Sequence, residues 1–249
     1  MDLNVHIVYS AEIYELTYRY PCLSFLEHFP VPQTEMNQWI MNNDYWEYTD
    51  RIVHELHVLV MGKTGYGKSS TLNRIIGRDK FETNDVSVCT KDLYDAVFRI
   101  DKKKGLFLSL CDLPGIGESN YADDHYYVWY RDMLEKSHCV LYVIRADQRD
   151  YSTDEMIFKH IFKDSTQREK VVLALNFADK IEPVNRHFTG LSAEQRANLK
   201  AKVDDISRIF QISKRNIVYY SAVDNLNVDI LVRCIAEKLK LAGEITVDL

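Results

Sequence analysis

A chain of 249 residues with 46% hydrophobic and 27% charged residues has the composition of a globular protein with a sizeable core. The formal net charge of −6 argues against general nucleic-acid binding, and DNA is not an expected partner. The five cysteines are widely spaced without a C-x-x-C pair, which is typical of core thiols in a reducing compartment. No apolar run approaches the ~18 residues of a membrane span and no signal peptide is evident, so a cytoplasmic location is expected.

Residues 1–50 are predicted to form an acidic, partly helical extension that precedes the main domain, residues 51–249. The extension contains eight Asp and Glu residues and one basic residue, Arg19, so it carries a formal charge of −7. Its many aromatic residues predict that it packs on the domain, and a partner-binding or regulatory arm is the alternative. Within it, residues 35–51 are predicted to form a helix that leads into the first strand.

The glycine-rich stretch 62–69 follows a predicted buried strand at 56–61 and precedes a predicted helix at 70–77. It fits the phosphate-loop pattern G-x-x-x-x-G-K-[ST] as Gly62-Lys63-Thr64-Gly65-Tyr66-Gly67-Lys68-Ser69. Glycines allow successive backbone N–H groups to converge on phosphate oxygens at the positive end of a helix. Lys68 is predicted to bridge the β- and γ-phosphates, and Ser69 to place its hydroxyl on Mg²⁺.

A polar stretch at 78–90 is predicted to be a mobile loop, followed by strands at 93–100 and 106–111. The two strands flank an Asp-Lys-Lys-Lys-Gly turn, so they predict a hairpin that makes one edge of the sheet antiparallel. Two capping boxes, Ser152–Glu155 and Ser192–Gln195, each predict the start of a helix. The further predicted elements are a helix at 122–137, strands at 139–144, 171–175 and 217–220, and a final helix at 228–239.

Strands that alternate with helices indicate a mostly parallel sheet covered on both faces. The sequence therefore predicts an α/β fold of the P-loop nucleotide triphosphatase type. We expect a six-stranded mixed, mostly parallel sheet with helices on both faces, preceded by the N-terminal extension. Ligands of such a sheet bind outside the carboxyl ends of its strands, and each remaining motif lies at such an end.

The motif Asp112-x-x-Gly115 follows the second strand of the predicted hairpin. Asp112 can offer a carboxylate to the Mg²⁺ shell, and Gly115 a backbone N–H that senses the γ-phosphate. Thr90, in the polar loop, is the predicted hydroxyl that completes the Mg²⁺ shell, with Thr83 and Ser87 as alternatives.

The motif Asn176-x-x-Asp179 is predicted to select guanine. The Asp179 carboxylate can accept hydrogen bonds from both N1–H and the 2-amino group of guanine, whereas adenine has no 2-amino group and offers an acceptor at N1. Asn176 is predicted to contact the opposite edge of the base and to tie its loop to the neighbouring loops. Ser221-Ala222 fits the loop whose backbone N–H meets guanine O6.

With these motifs the sequence resembles the Era-like (TrmE-Era-EngA) class of P-loop GTPases, and within it the short bacterial YfjP/YeeP-type GTPases labelled ribosome-binding. The resemblance covers about residues 52–240 and is carried by stretches 62–70, 89–92, 112–118, 144–147 and 175–180. It implies binding of GTP and GDP with Mg²⁺, slow hydrolysis and, through that label alone, a ribosomal partner. Ser70 and Lys180, which end the first and last stretches, join the expected nucleotide contacts.

Two positions bear on the rate of hydrolysis. Ile116 stands directly after Gly115, where many GTPases carry the glutamine that orients the attacking water, so slow intrinsic turnover is expected. An arginine acting in cis is conceivable at Arg145 or Arg149, although a surface ion pair is the simpler interpretation of each.

Two further positions depart from the usual GTPase pattern. Phe177 replaces the lysine that normally follows Asn176, and Phe177 or Lys180 is expected to cover the base. Gly65 makes the phosphate loop similar to those of GTPases that pair through their nucleotide faces, and a homodimer through that face is therefore a hypothesis.

The sequence predicts a GTP-binding molecular switch that slowly hydrolyses GTP to GDP and phosphate. Lys68, Thr90 and Gly115 take the catalytic roles, and Ser69, Thr90 and Asp112 serve Mg²⁺. The alternative is a guanine-nucleotide-binding scaffold with negligible turnover, whose output is nucleotide-dependent dimerisation. A structural GTPase that assembles on a membrane or filament is a third reading, against which the missing anchor and second domain count.

Overall fold

The computed structural model describes residues 5–29, 37–42, 45–52, 54–83, 93–101, 105–115, 127, 130–184 and 190–247. Its strands are β1 (Val5–Glu12), β2 (Asn37–Asn42), β3 (Tyr45–Ile52), β4 (His54–Met61), β5 (Leu93–Asp101), β6 (Leu106–Asp112), β7 (Cys139–Arg145), β8 (Val171–Asn176) and β9 (Ile217–Tyr219). Its α-helices are α1 (Tyr14–Arg19), α2 (Lys68–Ile76), α3 (130–136), α4 (Ser152–Ile161), α5 (Ser165–Glu169), α6 (Ala193–Phe210) and α7 (Val228–Val247). Short 3₁₀ helices occupy Pro21–His28, Ala178–Lys180 and Lys214–Asn216.

The main sheet has the strand order β1-β5-β6-β4-β7-β8-β9. Only the β5–β6 pair is antiparallel among these neighbours, as the hairpin signal predicted. The carboxyl ends of β4, β6, β7 and β8 therefore lie along one edge of the sheet. The segments that follow these four strands carry most of the predicted site residues.

Two expectations about the N-terminal extension were wrong. The main sheet has seven strands instead of six, because β1 pairs in parallel with β5 at the sheet edge. Residues 37–52 form the antiparallel β2–β3 pair instead of the predicted helix. The physical reason lies in the sequence: the apolar run Trp39-Ile40-Met41 and the aromatic run that begins with Tyr45-Trp46 flank Asn-Asn-Asp, residue types that favour turns, and this is a hairpin pattern.

The helices after β1 pack into the core, as the aromatic composition predicted. One face of β4 and β6 is covered by α1, the 3₁₀ helix Pro21–His28, α2 and α7. Apolar side chains from these elements surround a small cavity of about 20 Å³, lined by Leu16, Leu23, Val58, Val60, Leu72, Ile75, Leu108, Leu110, Leu141, Val232, Ile235 and Leu239. On the opposite face, Tyr142 of β7 meets Phe158 of α4 edge-to-face at 5.1 Å, and Phe158 meets Phe210 of α6 at 5.2 Å. Helices therefore cover both faces of the sheet.

We expect Leu26→Ala to lower the free energy of unfolding by about 2–5 kcal/mol, because the side chain is fully buried and its removal leaves a cavity. Tyr18→Ala, a matched change in the same segment, should stay within about 0.5 kcal/mol of the wild type, since Tyr18 is 91% exposed. Urea unfolding of both variants measures this. Equal stability of the two variants would contradict a structural role for the extension.

One of the two predicted capping boxes is present. Ser192 caps α6 by accepting from the Gln195 backbone N–H, and the Gln195 side chain accepts from the Ser192 N–H. The box predicted at Ser152 is wrong. The Ser152 hydroxyl donates to Asp150 Oδ2 and does not cap the helix. In addition, α4 begins at Ser152, so this residue is the first of the helix and not its N-cap.

Two histidines stack beside the start of β7, His57 and His138, with ring centroids 6.4 Å apart. The backbone N–H of His57 donates to His138 Nδ1 at 3.1 Å, which requires an unprotonated nitrogen. Burial, reinforced by the charge of Lys170, lowers the pKa of His138 from 6.5 to about 4.

The lowered pKa of His138 predicts sensitivity to acid. An unfolded chain protonates this histidine below pH 6.5 and the folded protein does so only near 4, so its contribution to stability is lost as the pH falls through that window. His138→Gln keeps an acceptor for the His57 N–H but cannot titrate. Its free energy of unfolding should fall less than that of the wild type between pH 7 and 4, by up to about 3 kcal/mol. Parallel pH profiles of the two proteins would refute the assignment.

No helix within the described ranges combines the length and apolarity that crossing a bilayer requires.

Candidate functional site

The phosphate loop connects β4 to α2 and ends at Gly67, the N-cap of α2. Gly67 has φ 81°, a left-handed conformation that side chains disfavour. A Cβ at this position would lie 2.4 Å from Asn176 Nδ2, so only glycine permits this approach of the loop to β8. The backbone N–H groups at the start of α2 are thereby presented at the sheet edge, in the arrangement that binds phosphate oxygens.

Lys68 and Ser69 begin α2, and Ser69 contacts Asp112 at the end of β6. The Lys68 side chain is buried, and its Nζ donates to the Lys63 carbonyl oxygen at 3.4 Å. The Ser69 hydroxyl donates to Asp112 Oδ2 at 2.5 Å, and Asp112 is fully buried at the end of β6. A hydroxyl and a carboxylate this close are hard oxygen ligands of the kind that Mg²⁺ prefers. The donor set therefore fits the predicted metal.

Gly115 lies directly against the phosphate loop. A Cβ there would lie 2.2 Å from Thr64 Oγ1 and 2.7 Å from the Thr64 backbone nitrogen. Thr64 itself is exposed at the top of the loop. A side chain at Gly115 would thus push the two segments apart, and the glycine keeps the Asp112–Gly115 turn in contact with the phosphate site.

The structure describes two of the five remaining predicted residues. Thr90, its alternative Ser87, and Ile116 all lie outside the described residues. Thr83, the other alternative, is exposed at the surface. Ser70, at the third position of α2, is half-buried and lines a cleft of about 420 Å³ between α2 and residues 222–223.

Asn176 joins two loops, as its motif predicted. Its side chain is buried at the end of β8, where Nδ2 donates to the Tyr66 carbonyl oxygen at 3.1 Å and Oδ1 accepts from the Ala222 N–H at 3.1 Å. The phosphate loop and the Ser221-Ala222 loop are therefore held by one amide. Asp179 follows in a 3₁₀ turn, and its Oδ1 is buried without a hydrogen-bond partner among the described residues.

The loop after β9 is closed by its own hydrogen bonds. Ser221 and Leu226 exchange two backbone hydrogen bonds, and the Ser221 hydroxyl accepts from the Asp224 N–H at 3.1 Å. Asn225 and Asn227 adopt left-handed conformations, with φ of 56° and 55°. This closed turn, here called the base loop (residues 221–226), presents Ala222 towards Asn176.

The Phe177 ring contacts two cationic side chains. It adopts φ 62°, and its ring lies 4.2 Å from the Arg145 guanidinium carbon and 4.7 Å from Lys180 Nζ. Arg145 also forms a two-pronged ion pair with Asp147, at 3.0 and 2.8 Å. The surface ion pair expected of Arg145 is therefore present. Arg149 is exposed.

Sequence reasoning missed a buried network behind the phosphate loop. The Tyr66 hydroxyl contacts Gln148 Oε1 at 2.7 Å and Asp154 Oδ2 at 3.1 Å, and Lys63 Nζ lies 3.9 Å from the same Asp154 oxygen. Burial raises the pKa of the Asp154 carboxyl. The Tyr66 side chain thus braces the loop against α4, while its backbone oxygen faces Asn176. The partners are 82 and 88 residues away, and no local pattern indicates them.

The fold and these contacts define a P-loop nucleotide-binding domain. Residues 57–177 match the family model described as 50S ribosome-binding GTPase. The chain therefore contains an Era-like P-loop GTPase domain.

Three comparisons set this assignment in context. YfjP of Escherichia coli, an uncharacterized protein, is 31% identical over 173 residues, 70% of this chain. The chain spans 58% of the length of YfjP. Among solved structures, Era of Aquifex aeolicus bound to GDP·AlF₄⁻ has a TM-score of 0.57 at 24% identity, with 74% of this chain and 57% of that chain covered. Toc33 of Arabidopsis thaliana with Mg²⁺ and GMPPNP has a TM-score of 0.55 at 21% identity, with coverage of 76% and 86%. Both solved structures support the fold.

Proposed function

We propose that this protein is a molecular switch that binds GTP with Mg²⁺ and hydrolyses it to GDP and phosphate. The observation that carries the proposal is the arrangement of two residues of one motif, Asn176 and Asp179. Asn176 holds the phosphate loop and the base loop together, and Asp179 offers a buried oxygen that makes no hydrogen bond within the described ranges. An unpaired buried acceptor is costly, and the N1–H and 2-amino groups of guanine would satisfy it.

Each residue has a proposed role. Lys68 and the backbone N–H groups of the phosphate loop would hold the β- and γ-phosphates, and the Gly115 N–H would sense the γ-phosphate. Ser69 and Asp112 would hold Mg²⁺, with Thr90 as the proposed third ligand. When bound, the metal neutralises charge that develops on the phosphate oxygens. Gly115 keeps its segment against Thr64, so the presence or loss of the γ-phosphate can be transmitted to the chain that follows.

The rate, the oligomeric state and the partner belong to the same proposal. Ile116 cannot orient a water, which supports slow intrinsic hydrolysis. Gly65 supports pairing through the nucleotide face, and dimerization is important for the GTPase activity of Toc33 and Toc159, chloroplast translocon components with a similar fold. Era, which has a similar fold, was solved with part of the 16S ribosomal RNA, and the matching family is described as 50S ribosome-binding, so a ribosomal partner is proposed as well. The free thiols at Cys22, Cys111, Cys139 and Cys234 support a reducing, cytoplasmic location.

A scaffold with negligible turnover is the second candidate, and Ile116 favours it. The two candidates differ in single-turnover hydrolysis of GTP, measured over a series of protein concentrations with ATP in parallel. A switch should bind GTP in preference to ATP and hydrolyse it faster than the Lys68→Ala variant. A rate equal to that of Lys68→Ala at every concentration would leave only the scaffold, and equal affinities for GTP and ATP would refute both. A rate per molecule that rises with protein concentration would support activation by dimerisation.

A further inference from the structure

Arg74, on the outer side of α2, contacts the base loop in a way that no sequence motif indicated. Its Nε donates to the Ala222 carbonyl oxygen at 2.6 Å, and its Nη2 donates to the Val223 carbonyl oxygen at 2.8 Å. Two parallel bonds to successive carbonyls use the planar fork of the guanidinium group, which a lysine cannot reproduce. Arg74 therefore fixes the backbone of the base loop at two adjacent peptide groups.

Ala222 is consequently held from both sides. Its N–H donates to Asn176 Oδ1 at 3.1 Å, and its carbonyl oxygen accepts from Arg74. A second bond lies one turn earlier in α2, where Thr71 Oγ1 and the hydroxyl of buried Tyr220, the residue directly before the base loop, are 2.7 Å apart. The base loop itself is thus attached to α2 at Arg74 and to β8 at Asn176, and the residue before it is attached to α2 at Thr71.

The same helix begins at the phosphate-binding lysine. Lys68 is the first residue of α2, and Arg74 lies six residues, or about 9 Å, further along its axis. A helix of this length is stiff, so a clamp at Arg74 sets the distance between the phosphate loop and the base loop. Free GTP is flexible, so the distance between its base and its phosphates varies. A site whose phosphate loop and base loop are held at a constant distance favours the one conformation of GTP that fits it.

We propose that Arg74 is a positioning residue for guanine selectivity, which fixes the base loop so that the Ala222 N–H, donated to Asn176 Oδ1 in this structure, can be shared with O6 of a bound base. This inference rests on the proposed GTP binding. Arg74 does not touch the nucleotide. It acts through Ala222, and its loss would let the base loop shift while Lys68, Ser69 and the phosphate loop keep their places.

The test is base selectivity. Affinities for GTP, ITP and ATP are measured by competition with a fluorescent GDP analogue. GTP and ITP both carry O6, and ATP carries an amino group there. In Arg74→Gln, the affinities for GTP and ITP should fall by the same factor, about tenfold, and the affinity for ATP should not change. Arg74→Lys keeps the charge but loses the fork, so it should show a similar loss of the GTP-to-ATP ratio.

Arg78→Gln is the matched control. Arg78 lies two residues beyond the end of α2 and its guanidinium forms an ion pair with Glu15, so this variant should keep the wild-type ratio. If Arg74 has a purely structural role, the affinities for GTP, ITP and ATP fall together and the GTP-to-ATP affinity ratio stays unchanged. That result overturns the inference. Wild-type affinities for all three nucleotides overturn it as well. If Arg74→Gln does not fold in thermal denaturation, Arg74→Lys decides by the same criterion. A wild type without preference for GTP over ATP refutes the proposed function and this inference with it, whereas a selective wild type with equally selective Arg74 variants refutes the inference alone.

Discussion

In the Asp179→Asn variant we expect the preferred nucleotide to change from GTP to XTP. The carboxylate of Asp179 accepts hydrogen bonds, and the 2-amino group of guanine donates one. An asparagine amide can donate instead, and xanthine carries an acceptor oxygen at position 2, so complementarity moves to the other base. Because the bonds lost with GTP involve a buried charged acceptor, its affinity should fall by about 10²–10⁴-fold.

The control for this change is Asp224→Asn, which alters an exposed carboxylate in the base loop in the same way. It should retain wild-type affinity for GTP and gain none for XTP. Competition binding with both nucleotides measures the two variants side by side. A loss of GTP affinity in Asp179→Asn without any gain for XTP would show that Asp179 supports the loop without reading the base.

The parts of the site that the sequence predicted are those defined by short, contiguous patterns at strand ends. The phosphate loop, the Asp112–Gly115 turn and the Asn176–Asp179 motif each follow a buried strand. Parallel pairing brings β4, β6 and β8 to one edge whatever the details of the chain between them. Local chemistry also predicted the α6 cap, since Ser192 and Gln195 satisfy each other within four residues.

What the sequence could not predict depends on residues far apart in the chain. The β-branched and aromatic residues of Val5–Glu12 are compatible with a strand, but nothing in them specifies β5 as the partner, almost ninety residues later by the pairing of Val5 with Leu93. Tyr66 occupies an unspecified position of the phosphate-loop pattern, yet its hydroxyl binds Gln148 and Asp154. Side-chain direction and long-range pairing are settled by packing, which periodicity does not record.

Gly67→Ala is the second substitution with a large expected effect. The added methyl group would lie 2.4 Å from Asn176 Nδ2, well inside van der Waals contact, in a backbone conformation that already disfavours a side chain. Asn176 must then move, and its bonds to the Tyr66 carbonyl and the Ala222 N–H are lost together. Phosphate and base recognition should fail at once, with a loss of affinity for GTP of at least about 100-fold.

Gly65→Ala separates the two causes of that loss. Gly65 shares the left-handed conformation, with φ 77°, but a Cβ there has no atom within 4 Å. Its substitution therefore adds only the backbone strain, about 1–2 kcal/mol, and should weaken GTP binding by about 30-fold at most. If both alanine variants bind GTP equally poorly, strain in the phosphate loop accounts for the effect. If Gly67→Ala binds GTP much more weakly than Gly65→Ala, the additional loss is caused by displacement of the Asn176 amide, because only Gly67→Ala displaces it.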